Sequence, residues 1–355
     1  MSRRLLVALV LIALFVLAGG SALAWIALSP NTPTFDGTRS IKVRKGSDFD
    51  TYVDSLGAAR MLRRPRTFRL VARLTGWDEQ LKSGHYAFEA GASNVDLLNT
   101  IRRGLQTPVR VTLKNGTRPD HMARALAKEM AFSAAEFEAA IGNVELARSL
   151  GTDTTHLFGY MLPDTYEFYW ETPADAFVRK VKESFDAFYV QAAGSAPGPF
   201  VELSPADVTS IASIVEWETA HQPEMSRVAG VYLNRLRDRW LLQADPTIQY
   251  ALIRLEGSKR RLLFRDYRLD HPYNTYVHAG LPPGPVTNPS KESIRAVLNP
   301  EKHGYYFFVA TGDGSHIFSR TLAEHSRNAQ AFYRVMRERR AAAAREAAAA
   351  GQADG

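Results

Sequence analysis

The longest apolar run of the chain lies at its amino terminus. Residues 5–28 carry no charged side chain, and Arg3-Arg4 precede them. A run of this length can cross a bilayer as one helix, and the positive end should stay in the cytoplasm. Residues 22–24, Ala-Leu-Ala, resemble a signal-peptidase site, but the apolar run continues beyond them, which favours a retained anchor. The sequence therefore predicts a cytoplasmic tip at 1–4, a transmembrane helix at 5–28 and an extracytoplasmic remainder.

A small α+β module is predicted after a proline- and glycine-containing linker at 29–38. Its elements, in order, are a strand at 41–43, helices at 48–55 and 66–74, a strand at 84–88 and a helix at 94–103. The change of hydrophobic period between these segments distinguishes strands from helices. We expect a compact βααβ module with one added helix within 39–112.

The remainder of the chain is predicted to form an intermediate α+β region at 113–200 and a larger α+β domain at 201–336. Helices are expected from Pro119 and over 174–189, and the glycines and prolines of 194–199 should interrupt the chain before the last domain. A tail at 337–355, composed almost entirely of Ala, Arg, Glu and Gly, reads as a fraying helix. The fold class predicted for the whole chain is α+β.

The strongest helix signal in the last domain ends in a carboxylate. Ser204-Pro-Ala-Asp207 combines a cap, an N1 proline and an acidic residue three positions after the cap. Four apolar residues fall on one side of the following helix: Val208, Ile211, Ile214 and Val215. Glu218 follows Ile214 by four positions, so its carboxyl group is predicted to lie in the apolar face. Such a carboxyl resists ionisation, which a general acid near neutral pH requires.

Glu216 provides the contrast within the same motif. It lies about 200° around the helix axis from Glu218 and should point elsewhere. The alternative for Glu218 is a helix-end carboxylate paired with an arginine, which is the ordinary fate of a lone Glu.

Composition narrows the chemistry. The chain has 355 residues, 45% of them hydrophobic, no cysteine and nine scattered histidines. Disulfides, thiolate metal sites and His-Glu-x-x-His zinc sites are therefore excluded, and we expect no metal and no cofactor. The net charge of +7 favours anionic surroundings, although an Arg- and Ala-rich composition explains it equally. Without a helix-turn-helix or aromatic RNA-binding motif, nucleic acid is not an expected partner.

Six motifs in the last domain occur in a characteristic order. They are Ile214-Val-Glu-Trp-Glu-Thr219, Val231-Tyr-Leu-Asn-Arg-Leu236, Leu242-Gln-Ala-Asp-Pro-Thr-Ile-Gln-Tyr250, Tyr273-Asn-Thr-Tyr276, Gly280-Leu-Pro-Pro-Gly-Pro285 and His316-x-Phe318. Together with Leu162-Pro-Asp-Thr-Tyr166 and the apolar amino terminus, they closely resemble the YceG-like family of endolytic murein transglycosylases.

That resemblance implies a function and a place for it. It implies a single-pass bacterial inner-membrane enzyme with a periplasmic catalytic domain, a lysin-motif-like (LysM-like) module at 39–112, and Glu218 as the catalytic residue. The substrate implied is the peptidoglycan glycan strand, cut between N-acetylmuramic acid and N-acetylglucosamine to leave a 1,6-anhydro end, with a role in limiting nascent strand length. Penicillin-binding proteins are implied as partners.

Further site residues are predicted from side-chain chemistry within these motifs. The amides of Asn234, Gln243 and Asn274 suit the N-acetyl and hydroxyl groups of a sugar, and Tyr273 and Tyr276 could add hydrogen bonds and a stacking face. Loop-stabilising amides and core tyrosines are equally good accounts of the same residues. Asp245 is read as a turn-former before Pro246.

Two alternatives stay open. A lysozyme-like muramidase would use Glu218, Asp245 and a water molecule, and would differ from a transglycosylase in product mass. A membrane-anchored, glycan-binding scaffold of the division machinery would bind strands without turnover.

Overall fold

The computed structural model describes residues 3–353, with side chains as far as residue 339 and at 341. Residues 1–2 of the predicted cytoplasmic tip and 354–355 of the predicted tail lie outside this description. The fold is mixed α+β, as predicted, and the chain divides into two compact units. The first comprises residues up to Val111 with Leu126–Ser133 and Tyr166–Pro173, and the second comprises the rest.

The amino-terminal helix α1 spans Arg3–Leu28 and buries none of its side chains. Its length and composition are sufficient to cross a membrane, which fits the predicted single-pass anchor. The last turn of α1 is joined to the folded module that follows. The Ile26 carbonyl accepts a hydrogen bond of 2.9 Å from Asn94 Nδ2, and the Arg64 guanidinium lies 5.1 Å from the centre of the Trp25 ring.

The module after α1 has the predicted order of elements. They are β1 (Thr38–Val43), α2 (Phe49–Ala58), α3 (Pro65–Thr75), β2 (Gly84–Glu89) and α4 (Asn94–Arg103). Strands β1 and β2 pair antiparallel, with Ile41 opposite Tyr86. The helices cover one face of this pair, and their apolar side chains form a core around Leu56, Phe68 and Leu97, each fully buried. The LysM-like identity of this module stays a prediction.

A series of short elements follows. They are β3 (Val109–Thr112), α5 (Pro119–Glu129), α6 (Ala134–Ile141), α7 (Val144–Ser149), a 3-10 turn at Leu157–Tyr160, β4 (Thr165–Phe168), which pairs with β3, and α8 (Ala174–Ser195). Helix α8 runs through Gly194, past the end at 189 that the sequence predicts. The reason is tertiary, because Ala192 continues the buried face of Phe185 and Phe188 into the core of the second unit.

The second unit is built around α9 (Pro205–Glu218). The remaining elements are α10 (Gln222–Arg237), α11 (Asp245–Glu256), a 3-10 turn at Asp266–Arg268, α12 (Lys291–Leu298), the antiparallel pair β5 (Phe307–Ala310) and β6 (His316–Ser319), and α13 (Leu322–Ala353). Helices α10, α11 and α12 all contact α9. The predicted tail is the end of α13, which stays helical as far as Ala353.

Helix α9 differs from the one-sided helix that the sequence predicts, because it is buried on every side from Val208 to Val215. The polar residues of this stretch satisfy their own hydroxyl groups. Thr209 and Ser210 donate to carbonyls one turn earlier, at 2.8 and 2.9 Å, and Ser213 donates to Ser210 O at 2.7 Å. Short hydroxyl side chains that bond back to the backbone can occupy a core without an unpaired polar group. The predicted capping box of Ser204 and Asp207 is present.

Candidate active site

The site is organised around the last turn of α9, where the chain leaves the core. The helix ends at Glu218, and Thr219 takes an extended conformation with its amide still bonded to Val215 O at 3.2 Å. The Thr219 hydroxyl then accepts the amide of His221 at 3.0 Å, which leads the chain into α10. This short connection brings α10 back along α9, so residues of α10 meet the end of α9.

Glu218 has one hydrogen-bond donor among the described residues. The Tyr232 hydroxyl donates to Glu218 Oε1 at 2.5 Å from the middle of α10, and Tyr232 itself is only 2% exposed. No arginine clamps the carboxyl group in the described part of the chain. Arg235, one turn further along α10, uses its guanidinium on backbone carbonyls instead, donating to Tyr306 O at 2.8 Å and Leu242 O at 2.6 Å.

The environment of Glu218 favours its protonated form. Burial raises the pKa of Glu218 to about 7, and the negative charge of Asp245 acts in the same direction. The Tyr232 hydrogen bond and the Arg235 charge lower that pKa, but burial outweighs them. The carboxyl group can therefore hold a proton near neutral pH and release it within the same range.

Glu216 lies in a different setting, as the helical phase predicts. Its Oε2 accepts the Ser290 amide at 2.9 Å and the Ser293 hydroxyl at 2.7 Å, and its Oε1 accepts the Asn115 side chain. Ser290 is the N-cap of α12, so Glu216 lies at the amino terminus of that helix, where a negative charge is stabilised. The carboxylate of Glu216 joins α9 to α12 and to the loop at Asn115.

Glu218 lines a groove of about 1440 Å³ on the second unit. Trp217 and Asp245 lie on the wall with it, and a segment at 259–268 forms another part of the lining. The Trp217 ring is held in place because its Nε1 donates to Gly116 O at 3.1 Å. Part of Glu218 remains accessible from the groove. A ligand in the groove can therefore reach the carboxyl group.

Asp245 and Tyr276 form a second polar pair in this groove. The Tyr276 hydroxyl donates to Asp245 Oδ1 at 2.7 Å, and both residues line the groove. Asp245, which the sequence indicates as a turn-former, is the first residue of α11, and Pro246 is the second. Of the predicted substrate-binding residues, Tyr276 is the one that the structure brings to the groove with Glu218.

Asn234 and Asn274 are buried and bind the protein's own backbone. Asn234 Nδ2 donates to His303 O and Tyr305 O at 2.9 and 3.0 Å. Asn274 Nδ2 donates to Leu269 O at 2.8 Å, and its Oδ1 accepts the amide of Tyr276 at 3.0 Å. Asn274 shapes the loop that carries Tyr276, whereas Asn234 holds the segment that precedes β5, and neither residue lines the groove. Their predicted contact with substrate stays a prediction.

Tyr273 and Gln243 also lie outside the groove lining. The Tyr273 ring lies 4.4 Å from that of Tyr250, between centroids. Gln243 is exposed and adopts a left-handed φ of 49°. Its backbone N–H donates to Thr275 O at 3.1 Å, and its side-chain oxygen lies 3.4 Å from a guanidinium nitrogen of Arg235. The role in sugar binding that the sequence predicts for these two residues stays a prediction.

Two residues of the site were not predicted from the sequence, although both lie in one of the six motifs. Tyr232 and Arg235 belong to Val231-Tyr-Leu-Asn-Arg-Leu236 and share one face of α10 at a spacing of three. A tyrosine and an arginine on the buried face of a helix require polar partners. This requirement is the sequence signal that could have identified both as candidate site residues. The sequence does not reveal that the partner of Tyr232 is Glu218.

Metal chemistry has no ligand set here. Among the described side chains, which extend to residue 339 and include 341, no group of three or more His, Asp or Glu could hold a metal ion. The arrangement that is present can act through one carboxyl group, which can donate a proton to a ligand in the groove and later accept one. A protein of this geometry is suited to acid and base chemistry on an extended ligand.

The chain also matches a known protein family. The model of the YceG-like family matches residues 41–331. The chain belongs to the YceG-like family. This result confirms the resemblance found in the sequence motifs.

Individual relatives agree with that assignment. The chain is 26% identical over 306 residues to the endolytic murein transglycosylase of Bacillus subtilis strain 168, covering 82% of this chain and 83% of that protein. It is 27% identical over 322 residues to the endolytic murein transglycosylase of Streptococcus pneumoniae strain R6, covering 81% of this chain and 57% of the relative. A crystal structure of a YceG-like protein from Listeria monocytogenes shares the fold, with a TM-score of 0.56, 24% identity, and coverage of 82% of this chain and 98% of that one.

Proposed function

We propose that this protein is an endolytic murein transglycosylase that cuts peptidoglycan glycan strands between N-acetylmuramic acid and N-acetylglucosamine without water. The family membership and the names of the relatives support the general activity. The observation that carries the assignment of the site is the Glu218 carboxyl group, which has a pKa raised to about 7 and lines the groove.

In the proposed first step, Glu218 acts as a general acid. Its protonated carboxyl group gives a proton to the glycosidic oxygen as positive charge develops at the muramic C1. The N-acetylglucosamine then leaves with its oxygen protonated. A carboxyl group with a pKa of about 7 is protonated in a large fraction of molecules at neutral pH.

In the second step, the same carboxylate acts as a general base. It takes the proton of the muramic C6 hydroxyl, whose oxygen bonds to C1 and closes the 1,6-anhydro ring. The carboxyl group ends protonated, as it began, and no water is consumed. Tyr232 supports this change of role, because its hydrogen bond at 2.5 Å stabilises the ionised form between the two steps.

The proposed location is the periplasmic side of the bacterial inner membrane, with α1 as a single-pass anchor and its arginine end in the cytoplasm. The module with strands β1 and β2 is proposed to be LysM-like and to bind glycan. Cleavage close to the membrane would limit the length of nascent strands, and penicillin-binding proteins, which make those strands, are the proposed partners.

A muramidase is the second candidate, because Asp245 lines the same groove as Glu218. In that reaction Asp245 would act with a water molecule. One oxygen of Asp245 already accepts the Tyr276 hydroxyl at 2.7 Å, which favours a positioning role over activation of that water molecule.

Mass spectrometry of the muropeptides released from purified sacculi by the full-length protein tests the proposal. We expect 1,6-anhydro-muramic ends at internal positions of the strands. Products heavier by one water would favour the muramidase, and an unmodified protein that binds strands but never cleaves them would favour the scaffold.

A further inference from the structure

The groove carries a cationic segment that acid–base chemistry at Glu218 does not require. We propose that residues 259–268, called here the cationic arm, bind the carboxylates of the stem peptide, so that the protein selects peptide-bearing strands over denuded ones. This inference rests on the proposed function, because it names the part of the substrate that the same groove recognises.

The arm is held in a defined shape by its own ion pairs. Arg260 donates to both oxygens of Asp266, at 2.7 and 2.9 Å, and to Glu256 at 2.7 Å. Asp266 is buried, and it also accepts the Leu263 amide at 2.6 Å. The base of the arm is tied to α11, because Gln249 Nε2 donates to Arg260 O at 2.7 Å. One arginine is thus used to build the arm.

The other cations of the arm face the groove. Lys259, Arg261, Arg265 and Arg268 all line it, against the two acidic residues Glu218 and Asp245. All four cationic residues are exposed. Among the side chains that the structure describes, as far as residue 339 and at 341, Arg261 and Arg268 have neither a side-chain hydrogen bond nor an ion pair. Exposed cations without a partner in the protein are available to an anionic ligand.

The arm also reaches the reacting end of the groove. Lys259 Nζ lies 5.3 Å from the centre of the Trp217 ring, and Trp217 directly precedes Glu218. A charge bound along the arm is therefore attached to a sugar near the carboxyl group that would cut the strand.

The chemistry of the proposed substrate identifies the anion. Glycan sugars with N-acetyl and hydroxyl groups are neutral, so unpaired arginines contribute little to binding the sugar chain itself. The muramic sugar that forms the anhydro ring bears the stem peptide on its lactyl group, and that peptide carries free carboxylates. A peptide must leave the strand beside the reacting bond, which is where the arm lies.

A lipid headgroup is the competing ligand for the arm. Phe264 is 95% exposed and is flanked by cations, a pattern that also occurs at membrane surfaces. The position of Arg261 and Arg268 in the lining of the groove with Glu218 favours the substrate.

The test compares two substrates and two matched double variants, using the full-length protein in neutral detergent micelles. The substrates are uncross-linked glycan strands with intact stem peptides and the same strands denuded by an amidase. Both lack the lipid pyrophosphate, and the amidase leaves one lactyl carboxylate on each muramic sugar, so a preference for peptide-bearing strands reports the carboxylates of the peptide beyond that single charge. The variants are Arg261→Gln/Arg268→Gln in the arm and Arg148→Gln/Arg327→Gln on exposed positions outside the groove lining.

We expect the unmodified protein to favour peptide-bearing strands by about tenfold in kcat/KM, since two charge-assisted contacts of severalfold each give that ratio. The arm variant should lose most of this ratio, mainly through KM, and the control variant should keep it. Added salt should reduce the preference of the unmodified protein. Equal cleavage of both substrates, or a preference that survives in the arm variant, would overturn the proposal.

Two further outcomes separate the arm from the function. Fluorescent peptide-bearing and denuded oligosaccharides are titrated into the full-length Glu218→Gln protein, which reports binding without turnover. A peptide preference in binding with no anhydro product from the unmodified protein upholds the arm and defeats the proposed function. Anhydro products without a peptide preference defeat only the arm, as does a preference that arises only when anionic lipid vesicles are added.

Discussion

The last turn of α9 carries two glutamates in contrasting surroundings. One lies on the side that faces α12, and the other lies on the side that faces the groove. On the α12 side, Glu216 accepts hydrogen bonds from Ser290, Ser293 and Asn115 and lies at a helix amino terminus. On the groove side, Glu218 has a single donor, Tyr232, and burial raises its pKa to about 7. Two residues of sequence thus separate a structural carboxylate from a chemically poised one.

Burial and the number of hydrogen-bond donors together distinguish these two groups. The three donors of Glu216 hold its carboxylate against α12 and the loop at Asn115. A carboxyl group with one donor and a buried surround exchanges its proton near neutral pH. Mutations that add or remove hydrogen-bond donors should therefore change activity on the groove side and the stability of the fold on the α12 side.

Glu218→Gln is expected to have the largest effect. The amide keeps the shape of the side chain but can neither give nor take the proton, so the rate of anhydro-muropeptide release should fall at least ~10²-fold. The rate is measured with the full-length protein on purified sacculi. Activity within a few fold of the unmodified protein would show that Glu218 is not the catalytic group. The contrast between Glu218 and Glu216 would then have no functional meaning.

The stability of the same variant provides its control. Because the folded pKa of Glu218 is raised from 4.5 to about 7, its ionisation destabilises the fold increasingly as pH rises through that window. Glu218→Gln should therefore melt at or above the temperature of the unmodified protein at about pH 8, and the difference should vanish at about pH 4. A lower melting temperature at both pH values would show that lost activity reflects lost structure.

Glu216→Gln is expected to act on stability. The amide nitrogen cannot accept one of the hydrogen bonds, and the helix α12 loses a negative charge at its amino terminus, so the free energy of unfolding should fall by about 1–3 kcal/mol. Denaturant unfolding in detergent measures this change, and Ser293→Ala, which removes one donor, should cost less. The comparison fails if Glu216→Gln abolishes cleavage while leaving stability intact.

Tyr232→Phe should sharpen the assignment of the titrating group. The Tyr232 hydrogen bond lowers the pKa of Glu218, so its removal should raise that pKa. The alkaline limb of the pH profile of kcat/KM, which reports loss of the acid's proton, should move to higher pH. A limb that stays in place, or moves to lower pH, would mean that another group controls the rate.

Asp245→Asn should give the smallest change and the opposite sign. The negative charge of Asp245 raises the pKa of Glu218 less than burial does, so its loss should move the alkaline limb slightly to lower pH. The matched measurement is the same pH profile. A loss of activity as large as that of Glu218→Gln would instead favour the muramidase, in which Asp245 takes part in the reaction.

Much of the local structure could be predicted from the sequence. The βααβ order of the amino-terminal module and the capping box at Ser204 and Asp207 both occur as expected. These features depend on hydrophobic period and on contacts within three or four residues, which the sequence contains directly. The order of the motifs around Glu218 was also sufficient to indicate the family, which the family model confirms.

The environment of each site residue was decided only by tertiary structure. Tyr232 meets Glu218 because α10 folds back along α9, and Asn234 and Asn274 bind backbone carbonyls instead of lining the groove. Helical phase gave the direction of Glu218, but α9 is buried on every side, so phase could not say which neighbours would meet it. Whether a polar side chain receives one donor or three depends on residues far away in sequence, and helix against helix contact brings those residues together.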